Sequence, residues 1–304
     1  MKKKTVAQLL LLLVVAIWGS TFSLVKAALN DASPLVFNLL RMALAAAALW
    51  LINHRQLRRL PRRTYFAGAV AGLLLATGYQ FQTVGLSRTT PAKSALITGL
   101  VVVFVPILTL FPGLCPKSSA PPRWTAGIGA LCAFFGLLLL TTPPGTGLST
   151  VASGIGLGDL LTSVCALAFA GHLLALAHLA PEIPTGQLAT LQITFAAIFM
   201  LLTLPLSASL DLHLSSRLVV ALAVTSLLAT AAAFSIQSWA QQHLPPTNTA
   251  LLLTLEPVFA VAVSMLFLGY RLTPRSIAGA ALILTGITIT ERFALPSPVA
   301  INPA

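Results

Sequence analysis

Acidic residues are almost missing from this chain: its 304 residues include six Asp and Glu. Charged residues of both signs make up 8 %, where a soluble protein of this length carries roughly 25 %. With 57 % hydrophobic residues and a mean hydropathy of +0.93, folding in water would leave apolar surface with nothing to cover it. The chain reads as an integral membrane protein. Cysteine is scarce too. Cys115, Cys132 and Cys165 lie far apart, with no CxxC pair and no His at ligand spacing. They give neither a metal site nor a disulfide framework and read as small core residues. No GxxxxGK[ST], GxSxG or HExxH occurs, so phosphate cradling and those nucleophilic or zinc chemistries have no carrier. A membrane-embedded enzyme would need Asp, Glu, His or Cys clustered near one interface, and no such cluster is present. No cofactor is expected.

What is there is apolar run after apolar run. A span needs about 20 residues, and ten are read: 6–28, 35–52, 65–86, 92–111, 124–141, 157–179, 186–204, 217–240, 247–268 and 275–291. The first, from about Val6 to Leu29, exceeds the roughly 7–15 apolar residues of a signal peptide and reads as a retained helix. The connections NDASP, PKSSAPP and TTPPGTG are short and rich in turn residues. The tail at 293–304 reads as disordered.

The net charge of +12 lies mostly between the spans, which argues for topology rather than nucleic acid. With the N-terminus inside, the inner segments hold Lys2, Lys3, Lys4, Arg55, Arg58, Arg59, Arg62, Arg63, Lys117, Arg123 and Arg292. The outer segments hold Arg88, Lys93, Arg217, Arg271 and Arg275. Eleven against five places both termini in the cytoplasm of a bacterial-type inner (plasma) membrane.

The two halves repeat. LLLATGYQFQTVGLSRTTPAKSALITGL (73–100) and SLLATAAAFSIQSWAQQHLPPTNTALLLTL (226–255) share LLAT, a Phe four residues after its Thr, a Gln-bearing stretch, then Pro, Ala and Leu. GALCAFFG (129–136) matches GAALILTG (279–286). An odd number of helices per half turns the second upside down, which is a transporter architecture. The expected fold is all-α, with ten transmembrane helices as two inverted five-helix repeats, 1–145 and 146–292.

IWGSTFSLVKAALNDASPLVFNLLRMALA (17–45) resembles the first-repeat signature of EamA-type members of the drug/metabolite transporter superfamily. TNTALLLTLEPVFAVAVSMLFLGYRLTPRSIAGAALILTGI (247–287) resembles the second. The resemblance covers essentially the whole chain. It implies a ten-helix bundle around a central cavity, moving small organic solutes across the inner membrane, with export the implied direction. Family members often have Gly-Glu where this chain reads Gly269-Tyr270-Arg271.

Within that frame, the polar residues in the spans are the candidates for solute contact. Glu256 sits in the run LLLTLEPVFAVAVSMLFLGY, followed by Pro257. A charge at midmembrane costs about 2.5–3.5 kcal/mol, so Glu256 is neutral, paired or facing a wet cavity. Pro257 frees a carbonyl near Leu253. Pro106 interrupts the fourth helix, the repeat partner of the ninth, and matched interruptions point to a substrate site. The structural alternative is that Glu256 only supports the broken helix. Arg41 is the second expensive residue. It is a cavity cation, a partner for Glu256, or a residue that snorkels outward or pairs with Asp31. Lys26 reads as a snorkelling anchor. Trp18, Thr21, Asn38, Tyr79, Gln82, Thr98, His172 and Gln237 complete the expected lining, with interhelical hydrogen bonding the alternative for each. His172 is also a candidate proton carrier.

Such a cavity suits amphipathic or zwitterionic solutes better than polyanions. The expected function is a secondary exporter of small organic metabolites, such as amino acids, or drugs, working by alternating access. A nucleotide-sugar-type carrier is the alternative, then a non-transporting accessory subunit. Expected partners are a small solute and the bilayer, with no nucleic acid. Proton coupling through Glu256 and facilitated diffusion both stay open, as does the oligomeric state.

Overall fold

The computed structural model describes residues 3–89, 91–111, 113–116, 124–141, 156–256, 258–259 and 273–292. Lys2, Lys117, Arg123, Pro257, Gly269, Tyr270, Arg271 and the tail 293–304 lie outside the described residues. The first three spans are α1 (Lys3–Ala28), α2 (Pro34–Asn53) and α3 (Arg62–Arg88). The fourth is broken into α4 (Pro91–Thr98) and α5 (Val101–Thr109), and the fifth is α6 (Trp124–Thr141). The second half repeats the count. It begins with α7 (Leu157–Leu179) and α8 (Thr185–Thr203). The eighth span is α9 (Ser216–Ser226), a π-helical turn at Leu227–Ala232, and α10 (Ala233–Ala240). The ninth opens with α11 (Pro246–Leu253), and the tenth is α12 (Pro274–Arg292).

Residues 3–28, 34–53, 157–182, 185–206 and 216–240 are long and apolar enough to cross a bilayer. Their outward faces are greasy: Leu51 is 77 % exposed and Leu202 69 %. In water such faces would aggregate; in lipid they are solvated. The helix α3 has the length but a more polar sequence, because it carries Thr77, Gln80, Gln82 and Thr83. It tolerates them by sitting between neighbours, with α7 and α8 packed along it and α2 on its flank. Its small residues make that placement fit: a Cβ at Gly72 would lie 2.7 Å from the Gln192 carbonyl of α8.

The packing pattern maps onto itself when five is added to each span number. The fifth span packs on the tenth, the second on the seventh, and the fourth on the ninth. The third packs on the sixth and seventh, as the eighth packs on the first and second. The contact between α6 and α12 shows the sense of the symmetry. A Cβ at Gly286 would come within 2.5 Å of the Gly129 carbonyl, and one at Gly136 within 2.6 Å of the Gly279 carbonyl. Gly129 and Gly279 are equivalent in the repeat, as are Gly136 and Gly286. Equivalent helices therefore run antiparallel, so the second half is inverted. Backbone approach at small residues is how helices associate where lipid gives no hydrophobic drive.

The interruptions of the fourth and ninth spans are matched, and in the fourth the break is not at its proline. Pro106 lies inside α5. The fourth span breaks earlier, at Gly99–Leu100, where Leu100 N–H turns to Ile97 O and Val102 N–H to Gly99 O. The ninth tightens in the same way at Thr254–Leu255, whose N–H groups turn to Leu251 and Leu252. The loss of the Pro106 N–H is felt at Val102, one turn before it, so it leaves the actual break untouched.

Candidate functional site

Both breaks face one cavity of about 100 Å³, bounded by α1, α2, α3, α7, α10 and the two broken spans. Beyond it, Ala7 and Leu11 of α1 pack with Ala240, Leu244 and Leu252 and close the space between α1, α10 and α11.

Arg41 is the cation of this site and is 5 % exposed. Its Nε donates to Thr230 Oγ1 at 2.7 Å, and its Nη2 to Tyr79 Oη at 3.1 Å and Ala229 O at 3.3 Å. The guanidinium carbon stands 4.4 Å from the Tyr79 ring centroid, so the ring face supplies part of the compensating field. The π turn makes the Ala229 carbonyl available. In an α-helix the Ala233 N–H would bond to Ala229; here it is shared between Leu228 O and Thr230 O. The freed carbonyl also accepts from Trp18 Nε1 at 2.8 Å.

Aromatic rings form one wall. The Phe234 ring lies 5.4 Å from Trp18, 6.0 Å from Tyr79 and 5.8 Å from His172, and Phe169 stands edge-on to Tyr79. His172 is buried, with Nε2 at 2.9 Å from Gln192 Oε1, and Gln192 donates in turn to Ser238. Opposite, Gln82 Nε2 lies 3.4 Å from Thr98 Oγ1, which closes the fourth-span break. Glu256 is half-buried in the cavity wall just after the ninth-span break. Among the described residues no group hydrogen-bonds or ion-pairs with its carboxylate. Among those residues, no three His, Cys, Asp or Glu side chains gather where a metal could sit.

Of the ten residues expected at the cavity, Trp18, Thr21, Arg41, Tyr79, Gln82, Thr98, His172, Gln237 and Glu256 line it. Asn38 stands behind the wall instead, fully buried. Its amide donates to Tyr79 O and Gln80 Oε1 and accepts from Thr83. A carboxamide with every partner met inside the bundle has nothing left for a solute. Arg41 pairs with neither Asp31 nor Glu256. Asp31 is held by Arg217 and Ser215 at the α1–α2 turn. Lys26 Nζ donates to Leu86 O at 2.6 Å and caps α3. Sequence reasoning missed Thr230, Thr83 and the aromatic wall of Phe22, Phe169 and Phe234. The shared Phe of the two repeats marks Phe234; nothing in LLATAAA marks the π turn.

An inverted-repeat bundle around a mostly apolar cavity with a few polar groups at the helix breaks is the architecture of a membrane solute transporter. The chain belongs to the EamA-like transporter family, whose model matches it twice, over residues 5–142 and 156–292. It is 32 % identical to an uncharacterized transporter of Archaeoglobus fulgidus, over 95 % of this chain and 87 % of that one. It is 24 % identical to the uncharacterized transporter YoaV of Bacillus subtilis, over 90 % and 92 %. A shorter match, 36 % over 52 residues, is to a probable terminal-alkyne amino-acid exporter of Streptantibioticus cattleyicolor and covers 17 % of this chain and 18 % of that one. A crystal structure 18 % identical in sequence superposes with a TM-score of 0.75 over 95 % of this chain and 98 % of the other, which is a likeness of fold.

Proposed function

We propose that this protein is a secondary exporter of small zwitterionic solutes of the α-amino-acid type, acting by alternating access between repeats 1–145 and 146–292. One observation carries the reading. The cavity holds a buried guanidinium, Arg41, and a half-buried carboxylate, Glu256, that do not pair with each other or with any other ionised group among the described residues. Charges in such a setting call for partners. A solute with a carboxylate and an ammonium supplies both at once, while a polyanion leaves Glu256 repelled and a simple amine leaves Arg41 alone. Arg41 takes the carboxylate, Tyr79 and Thr230 hold Arg41, and Glu256 takes the ammonium.

When the solute leaves, a proton takes its place on Glu256, which couples export to proton entry. The placement of Lys and Arg supports a plasma-membrane protein with both termini in the cytoplasm. Direction is argued from the exporter named among its relatives.

The test is binding by detergent-purified protein, read by thermal shift and calorimetry. An L-amino acid, its decarboxylated amine and its deaminated acid are compared on wild type, Arg41→Gln and Glu256→Gln. The expected result is that wild type binds the amino acid best, Arg41→Gln loses its preference over the amine, and Glu256→Gln loses its preference over the acid. Equal binding of all three by wild type sinks the proposal.

A further inference from the structure

The cavity contains one polar group that a plain zwitterion leaves unused. Gln237 of α10 lines it and is 2 % exposed. Its Oε1 has no partner, and neither end of the carboxamide is hydrogen-bonded among the described residues. The other glutamines nearby are satisfied. Gln192 bridges His172 and Ser238, Gln242 donates to Ala180 O and Ile183 O, and Gln80 links Asn38 to Thr203. One turn nearer the α10 C-terminus, Gln241 is 3 % exposed, and both its amide atoms are unpartnered as well. Residues four apart share a helix face, so two unmet carboxamides lie on one face, and of these Gln237 lines the cavity. A buried amide without partners is costly where the surroundings cannot hydrogen-bond it. In a cavity that includes Leu173, Ala250 and Leu253, the occupant is what completes Gln237.

We infer that Gln237 is a specificity-determining subsite for a neutral side-chain group that both gives and accepts a hydrogen bond. The solutes are then amino acids bearing a hydroxyl or a carboxamide, and their aliphatic isosteres are rejected. This rests on the zwitterion reading above, with Arg41 and Glu256 holding the backbone charges and Gln237 reading the side chain. Discrimination works through the loss: an isostere with a methyl group in place of the hydroxyl leaves the amide unpaired, and a site built to hydrogen-bond a substrate rejects the analogue that lacks the group.

The experiment measures binding for two matched pairs, L-threonine against L-valine and 1-amino-2-propanol against isobutylamine, on wild type and Gln237→Met. The expected result is a preference of about 10-fold or more for threonine in wild type. In Gln237→Met that preference falls to within about twofold, through weaker threonine binding, while valine binding is unchanged. Wild type binding valine as well as threonine overturns the subsite, as does a threonine preference that survives Gln237→Met. In either case the zwitterion reading stands. A hydroxyl preference in the amine pair alone, with no amino acid bound, keeps the subsite and removes the zwitterion reading. No binding of any of the four removes both. If Gln237→Met does not fold, the wild-type ratios decide, because equal affinities within each pair are incompatible with a hydroxyl-reading site.

Discussion

Arg41 Nε donates to Thr230 Oγ1 at 2.7 Å, across 189 positions of sequence and from the first repeat into the second. Beside it, the π turn of the eighth span at Leu227–Ala232 frees the neighbouring Ala229 carbonyl for Arg41 Nη2 and Trp18 Nε1. A guanidinium anchored on three sides of its fork is pre-oriented, so less freedom is lost when an anion arrives. The site cation is thus set by backbone geometry in the opposite half of the molecule.

Thr230→Val removes the Nε acceptor at nearly constant volume. Solute affinity is expected to fall by about fivefold or more, the equivalent of about 1 kcal/mol, because a hydrogen bond to a charged group is lost. Arg41→Lys keeps the charge but not the fork and is expected to bind more weakly than Thr230→Val. Arg41→Gln is expected to bind the amino acid no better than its decarboxylated amine. Calorimetric titration of the three variants checks the order; equal affinities for Thr230→Val and wild type would remove the positioning role.

The glycines of the α6–α12 contact give a stability prediction with an internal control. Gly286→Ala places a methyl 2.5 Å from the Gly129 carbonyl, where backbone has to move, whereas Gly127 on α6 has nothing within 4 Å. Gly286→Ala is expected to lose about 1–3 kcal/mol by overpacking, and Gly127→Ala to be neutral or to gain up to about 1 kcal/mol from helix propensity. Unfolding of both variants in detergent, against wild type, reads the difference. A Gly286→Ala variant as stable as wild type would mean that the two helices meet elsewhere.

These contacts also show where sequence reading succeeds and where it stops. In a chain this apolar, a polar side chain inside a span has to find a partner or a cavity, so Trp18, Arg41, Tyr79 and Glu256 were legible as candidates, and the repeat together with the family resemblance suggested a shared cavity. The repeat, read from LLAT and the paired glycines, supplied the inversion. The errors have physical causes. Asn38 looked the same as its neighbours, because only coordinates show that Tyr79, Gln80 and Thr83 saturate it. Pro106 marked the right span but not the turn at Gly99–Leu100. Arg217, the partner of Asp31, lies 186 positions away, and no local pattern links them.

That pair predicts acid behaviour. Arg217 Nε and Nη2 each reach Asp31 at 2.8 Å and Ser215 Oγ adds a bond at 2.7 Å, which together hold the carboxyl down from 3.8 to about 2. A depressed carboxyl stabilises the fold fully above its ordinary value and loses that contribution as pH falls through about 2. Wild type is therefore expected to be more heat-stable than Asp31→Asn at pH 7, with the gap closing between pH 4 and pH 2. Melting curves across that range test it; a constant gap would assign the Asp31 contribution to packing.

Glu256 carries the last prediction, because a proton and a solute ammonium compete for one carboxylate. The carboxylate has no partner of its own among the described residues, so occupancy by one ligand excludes the other. Lowering the pH on the side to which the cavity opens is expected to weaken binding of a zwitterion, and an imposed pH gradient to drive its counterflow in proteoliposomes. Glu256→Gln can take neither partner as an anion, so its residual binding is expected to be flat with pH and its flux indifferent to the gradient. If wild-type flux ignores the gradient while Glu256→Gln still loses affinity, the carboxylate reads the ammonium without coupling it to protons, and the protein is a uniporter. Gradient-driven flux that survives Glu256→Gln places the coupling proton on another group, and His172, which also lines the cavity, is then the residue to replace.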